Sequence, residues 1–135
     1  MFIARPSVGR LLEIRIASPF ELSEFRALEE NVTRLLSSSP VPWIACGDMR
    51  HAAVFTQDVV QGLIDLLRSD NPRLERSGLL VSTSAVFSMQ IERIIRAAGN
   101  PARRAFRDAK EGVAWLSEAL NAEERAALHK FVFFT

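Results

Sequence analysis

The stretch VPWIACGDMRHAAVFTQD, residues 41–58, is the most informative part of the sequence about the fold. Its first part, Val41 to Gly47, is almost continuously apolar around Trp43-Ile44-Ala45-Cys46. Strands that are covered on both faces have this composition, so a central parallel strand is predicted here. A loop is expected over residues 48–55, at the carboxyl end of that strand, and Thr56 is a candidate N-cap for the helix that follows. The stretch therefore predicts a strand, a loop and a helix in succession.

Strand and helix patterns alternate on both sides of this stretch. Upstream, Leu11–Ile16 ends in alternating apolar and charged residues, as a half-buried strand does, and Ser18-Pro19 followed by Glu21 predicts a capped helix start. Downstream, short runs at Ser77–Ser82 and Arg103–Arg107 predict two further strands. This order of elements predicts a single-domain α/β fold with a mainly parallel sheet of about four to five strands, flanked by helices.

Three later helices have recognisable starts. Thr83 or Ser84 is expected to cap the first of them, and its apolar face is predicted to include Val86. The other two are expected after Asp108 and Asn121, each of which is followed three residues later by a glutamate, as in a capping box.

Length and composition indicate one ordinary globular domain. The 135 residues are 48% hydrophobic and 24% charged, which is sufficient for one sizeable core. We expect a single domain with its core at 8–120 and a C-terminal helix and aromatic tail at 121–135. The 17 basic and 16 acidic residues leave a formal charge of +1, so the overall charge gives no reason to expect nucleic acid or an anionic membrane as a partner.

Cys46 is the only cysteine, so neither an intramolecular disulfide nor a zinc site with several thiolates can form. No motif predicts a cofactor or a metal ion. The first residues lack the pattern of a signal peptide, and no apolar run approaches the length needed to span a bilayer. The expected location is cytoplasmic.

Two short segments carry a family resemblance. The run Cys46-Gly47-Asp48-Met49-Arg50 before the Thr56 helix, and FRDAKEGVAWL at 106–116, are similar to the STAS-like superfamily and, within it, to the SpoIIAA-like group. The resemblance implies a small α/β domain that binds or regulates a partner. Bacterial anti-sigma antagonists of this kind carry a phosphorylated serine at the start of the helix. The matching stretch here, FTQDV at 55–59, has no serine, so we expect Thr56 to act as a cap and expect no such phosphorylation switch.

Asp48, Arg50 and His51 form the first candidate site. They follow a predicted central strand, where open α/β sheets tend to bind ligands, and Thr56 lies close by in the sequence. One interpretation is that these four residues surround a small anionic or polar ligand. The other, which we favour, is that Asp48 accepts backbone N–H groups and pairs with Arg50 while His51 is exposed. No Ser or Cys is placed for His51 to activate, so no catalytic residue is assigned.

A second candidate site is a group of arginines around the third predicted helix and the strand after it. If they fold together, they would attract an acidic protein or a small anion; the alternative is an ordinary solvated surface. The group comprises Arg93, Arg96, Arg103 and Arg104.

The aromatic tail Phe131-Val132-Phe133-Phe134 is a third feature, because exposed aromatic runs promote association. It is expected to pack either onto the domain or onto a second copy as a homodimer. Two main hypotheses for function stay open. The leading one is a non-enzymatic binding or regulatory module for a protein partner or small ligand. The alternative is a small enzyme that uses Asp48, Arg50 and His51. A weaker third possibility is a structural subunit of a larger assembly.

Overall fold

The computed structural model describes residues 1–134, in which five strands form one sheet in their order along the chain. The first strand pairs antiparallel with the second, and all other pairs are parallel. The predicted mainly parallel α/β fold is thereby confirmed. The elements are β1 (Phe2–Pro6), β2 (Leu11–Ala17), α1 (Leu22–Ser37), β3 (Trp43–His51), α2 (Gln57–Asp70), β4 (Leu74–Val81), α3 (Ala85–Ala98), β5 (Arg103–Phe106), α4 (Ala109–Ser117) and α5 (Ala122–Phe133), with a short 3-10 turn at Asn71–Arg73.

The helices cover the two faces of the sheet unequally. Helices α1, α2 and α3 connect parallel strands and pack with the larger core cluster on one face, as successive crossovers of one hand require. Helices α4 and α5 pack with a smaller cluster on the other face. Strand residues alternate between these layers, so Ala45 and Met49 contact the first and Ile44 and Cys46 the second. None of the helices within residues 1–134 is long and apolar enough to span a bilayer.

Helix α4 approaches the sheet closely because two glycines leave room for it. A Cβ atom on Gly78 of β4 would lie 2.9 Å from the Leu116 side chain, and one on Gly112 of α4 would lie 2.6 Å from that of Leu80. A larger residue at either position would push α4 away from β4.

Two strand segments of the structure were not predicted from the sequence. Strand β1 was not predicted, because a five-residue edge strand that ends in Pro6 shows too little periodicity. Strand β3 runs on to His51, so the loop expected from Asp48 onward is wrong over residues 48–51. Its backbone pairing with β2 and β4 continues where the apolar run stops.

The starts of α1 and α2 also differ from the prediction. Helix α1 begins at Leu22 after Glu21, and the Oγ of Ser18 instead accepts a hydrogen bond from the Ala53 N–H at 2.8 Å. Thr56 precedes α2 as expected, but its hydroxyl donates to Asp58 rather than capping a backbone N–H.

The later helices begin after predicted cap residues, although within residues 1–134 the capping box expected at Asp108 with Glu111 is not formed. Ser84 accepts from the Phe87 N–H at 3.3 Å, and Asp108 accepts from the Lys110 N–H at 2.9 Å. Asn121 forms a complete capping box with Glu124.

Candidate functional site

The Asp48 carboxylate is at the centre of a buried ionic cluster beneath α5. It is 1% exposed and lies beside Arg15, its registered neighbour on β2. Arg15 donates from Nε to Oδ2 at 3.1 Å. Arg50, two residues along β3, donates from Nε to Oδ1 at 2.9 Å and from Nη2 to Oδ2 at 3.1 Å. The Arg50 backbone N–H also donates to Oδ1 at 3.1 Å, so this carboxylate accepts four hydrogen bonds.

The two guanidinium groups continue to the end of α5. Arg15 Nη2 donates to the Phe131 carbonyl at 2.9 Å, and Arg50 Nη2 donates to the Val132 carbonyl at 2.6 Å. The last carbonyls of a helix have no partner inside the helix and carry partial negative charge, so cations are favourable there. The Arg15 guanidinium also lies 4.4 Å from the centre of the Phe131 ring. The cluster thus fastens α5 to the sheet.

Electrostatics reinforce this arrangement. Burial by itself would raise the pKa of Asp48, but the hydrogen bonds from Arg50 and Arg15 outweigh it and bring the pKa below its ordinary value. The hydrogen bond between the side chains of Arg50 and Asp48 also raises the pKa of Arg50. Both groups are therefore held in their charged forms. Burial also raises the pKa of the Cys46 thiol on the same face, which makes it a poor nucleophile.

The predicted ligand site therefore does not assemble as one pocket. Asp48 and Arg50 meet, but their polar atoms contact each other, Arg15 and α5. His51 is exposed, and its side chain has no hydrogen bond to either residue within the described part of the chain. Thr56 is exposed at the start of α2 beside Asp58. Within residues 1–134, no group of three or more His, Cys, Asp or Glu side chains is placed to hold a metal ion.

The predicted arginine group is divided among three environments. Arg103 is 4% exposed, so its assignment to the surface is wrong; it points to the α1–α3 side and bonds Ser77, Leu67 and Asn71. The next residue of the strand, Arg104, points to the opposite face and lies 5.0 Å from the Trp115 ring. The physical reason is the two-residue period of β5, which sends neighbouring side chains to opposite faces.

Arg93 and Arg96 remain together on the exposed side of α3. Neither has a hydrogen bond or an ion pair within residues 1–134. Their charge is thus available to a partner.

A shallow groove adjoins Arg93, and we call it the α3 groove. It has a volume of about 250 Å³ and is lined by Val54, Val86, Met89, Gln90 and Arg93. Three of its apolar side chains are unusually exposed, at 52% for Val54, 66% for Val86 and 65% for Met89. The expectation that Val86 belongs to the buried face is wrong. This groove was not predicted from the sequence, although the apolar residues Val86 and Met89 lie outside the core-facing stripe of α3.

The wall of the α3 groove is fixed by Gln90. Its Oε1 accepts from the Phe55 N–H at 2.8 Å, and its Nε2 donates to the Phe55 carbonyl at 2.9 Å. Phe55 itself packs edge-on against Phe87 in the core. This two-point attachment holds the neighbouring Val54 beside α3.

A separate small cavity of about 50 Å³ lies inside the larger core, where Asp70, Ser77 and Arg103 are the polar residues of a mostly apolar wall. Burial raises the pKa of Asp70 to about 6 and lowers that of Arg103 to about 10. The Nε of Arg103 has no hydrogen-bond partner within residues 1–134. This volume is enough for one or two water molecules.

The chain is a small α/β domain with a five-stranded, mainly parallel sheet, and comparison with a solved structure shows that its fold is SpoIIAA-like. Among solved structures, the chain is similar to an uncharacterized protein of the DUF3478 family with a SpoIIAA-like fold from Shewanella loihica PV-4. The TM-score is 0.64 at 11% sequence identity, and the match covers 86% of this chain and 92% of the other. The similarity confirms the predicted fold. No protein-family model and no curated protein matches the sequence.

Proposed function

We propose that this chain is a non-enzymatic binding module that recognises an acidic protein partner through the α3 groove and the adjoining Arg96. The observation that carries the proposal is the position of two exposed arginines, unpaired within residues 1–134, next to three exposed apolar side chains. Protein interfaces combine such apolar contacts with arginine, and a cluster of exposed apolar side chains commonly marks a binding surface. The SpoIIAA-like fold suits a regulatory or binding role, and the expected cytoplasmic location stays part of this proposal.

The enzyme alternative receives less support from the geometry. It requires Asp48, Arg50 and His51 to converge on a substrate, whereas two of them are engaged beneath α5 and the third is exposed. A small anionic ligand among these residues would have to displace α5 carbonyls from Arg15 and Arg50.

A charge-reversal experiment tests the proposal. The purified protein is used as bait in a lysate of the organism that encodes it, alongside the double variant R93E/R96E. A matched control is R26E/R34E, which changes the net charge equally on the exposed side of α1. We expect a reproducible, stoichiometric partner that R93E/R96E loses and R26E/R34E keeps. Equal capture by both variants would overturn the proposed surface.

The C-terminal aromatic tail supports a second candidate function, self-association. Phe131 and Val132 are buried, at 1% and 3% exposure, so this half of the tail packs onto the domain. The other half is open, with Phe133 at 36% and Phe134 at 73% exposure. A depression of about 490 Å³ adjoins it, lined by Lys110, Val113, Ala114, His129, Phe133 and Phe134. We propose a homodimer through this surface.

Light scattering tests the dimer. The variant F133S/F134S is expected to have the mass of one chain at concentrations at which the unchanged protein has the mass of two. The variant V86S/M89S removes two exposed apolar side chains elsewhere and should leave the mass unaltered. A single-chain mass for the unchanged protein would contradict the dimer.

A further inference from the structure

We propose that the partner presents an amphipathic helix that lies antiparallel along α3, with acidic first turns over Arg93 and Arg96 and apolar later turns in the α3 groove. This inference rests on the proposed function, because it specifies the partner of the same surface.

The exposed residues on α3 are spaced so that they lie on one side of the helix. Val86, Met89, Arg93 and Arg96 are all exposed and follow one another at intervals of three, four and three residues. Such residues form one stripe along a helix. The stripe is about 15 Å long, since each helical residue rises about 1.5 Å, and therefore spans roughly three turns. A single helix laid against α3 can contact its whole length.

The stripe changes from apolar to cationic along α3. Its amino-terminal half is apolar, through Val86 and Met89, and its carboxyl-terminal half is cationic, through Arg93 and Arg96. The two arginines are three residues apart, a spacing at which like charges repel by a few tenths of a kcal/mol. Glu92 is exposed next to Arg93 but makes no ion pair with it. Carboxylates from a partner would relieve this repulsion.

The partial charges at helix ends set the direction of the partner helix. Acidic residues are most favourable in the first turn of a helix, where the partial charge is positive. An antiparallel helix places its first turns over the carboxyl-terminal half of α3, next to Arg93 and Arg96. Its later turns then reach Val86 and Met89. In this direction the partner's preferred charge pattern and the pattern on α3 agree, whereas a parallel helix would need its acids in the last turns.

The shape of the groove favours a side chain from a helix over a flat surface. The α3 groove is concave and close to 250 Å³, so it accepts a partner side chain of the size of leucine or phenylalanine. The Gln90 bonds to Phe55 already hold Val54 in place, so little conformational freedom is lost on binding.

Two synthetic peptides of identical composition test the inference by NMR titration of the isotope-labelled full chain. One has glutamates in its first two turns and leucines in its later turns, at the spacing of the α3 stripe; the other has the reverse order. We expect amide shifts confined to Val54 and to the exposed stripe of α3. We also expect the acid-first peptide to bind about fivefold more tightly, or ~1 kcal/mol. R93E/R96E should lose this preference, and R26E/R34E should keep it.

Other outcomes separate this inference from the proposed function. Equal affinity for the two peptides, or shifts elsewhere, would overturn the antiparallel helix. So would the same α3 shifts from vesicles of anionic phospholipid with none from either peptide. If a lysate partner is nevertheless lost by R93E/R96E and kept by R26E/R34E, the proposed function stands and only the helix is wrong. If capture is insensitive to R93E/R96E, the proposed function itself fails.

Discussion

Arg50 and Arg93 have the same side chain in opposite situations. Arg50 lies in a strand beneath α5, where it bonds the Asp48 carboxylate and the Val132 carbonyl. Arg93 lies on the open side of α3 and bonds nothing within residues 1–134. Both residues are conspicuous in the sequence, but the partners that occupy Arg50 are contributed in part by α5, 82 residues away. Pairing and burial, rather than residue type, therefore separate a structural charge from one available for binding.

Removing the charge of the buried Asp48 carboxylate should lower stability more than the other changes considered below. Asp48→Asn removes the charge shared by Arg15 and Arg50, which are 16% and 29% exposed, and leaves two poorly solvated cations side by side. We expect the free energy of unfolding in urea to fall by about 3 kcal/mol. The exposed Asp65→Asn on α2 is the control and should change it by less than about 0.5 kcal/mol. Similar losses for both variants would mean that the cluster contributes little.

Asp70, a buried acid with no hydrogen bond from a cation within residues 1–134, should behave in the opposite way. Folding raises the pKa of Asp70 from 3.8 to about 6, chiefly through burial, so the folded state favours the neutral form. The stability that this preference contributes is present below about pH 4 and is lost as the pH rises through about 6. Asp70→Asn should therefore be more stable than the unchanged protein at about pH 8, by about 2 kcal/mol.

Urea unfolding of the Asp70→Asn variant across pH checks this expectation. Its advantage over the unchanged protein should shrink toward zero at about pH 4, where Asp70 is protonated in both states. Asp65→Asn again serves as the comparison and should show no such trend. A disadvantage of Asp70→Asn at about pH 8 would indicate that the charged carboxylate is needed beside Arg103.

The smallest effect is expected on the α3 groove. V86S/M89S replaces two side chains that are 66% and 65% exposed, so little apolar burial is lost. We expect the free energy of unfolding to change by less than about 0.5 kcal/mol, while capture of the partner is lost. A destabilisation comparable to that of Asp48→Asn would show that these residues belong to the core.

The sequence was sufficient for the fold because periodicity and capping are local. The apolar run at Val41–Gly47 and the capping box at Asn121 both indicate their elements without knowledge of the rest of the chain. Strand β1 was missed because its structure depends on pairing with β2, as at Ile3 and Arg15. The continuation of β3 to His51 was missed because charged residues resemble a loop until their partners are known.

The candidate sites were less predictable, because each depends on contacts between remote elements. The pairing of Asp48 with Arg50 was expected from the sequence, but the contribution of Arg15 and of α5 was not. Arg103 and Arg104 are adjacent in sequence, but they lie on opposite faces of the sheet. The α3 groove needs Val54, which the Gln90 bonds to Phe55 hold beside α3.

The same substitution at Arg50 and at Arg93 distinguishes the structural arginine from the one available for binding. Equilibrium urea unfolding is measured for Arg50→Met and Arg93→Met, which keep a long apolar side chain and remove one charge each. We predict that Arg50→Met lowers the free energy of unfolding by about 2 kcal/mol, because Asp48 and the end of α5 lose a charged donor. Arg93→Met should change it by less than about 0.5 kcal/mol. Equal effects at the two positions would contradict the division between a structural cluster and a binding surface.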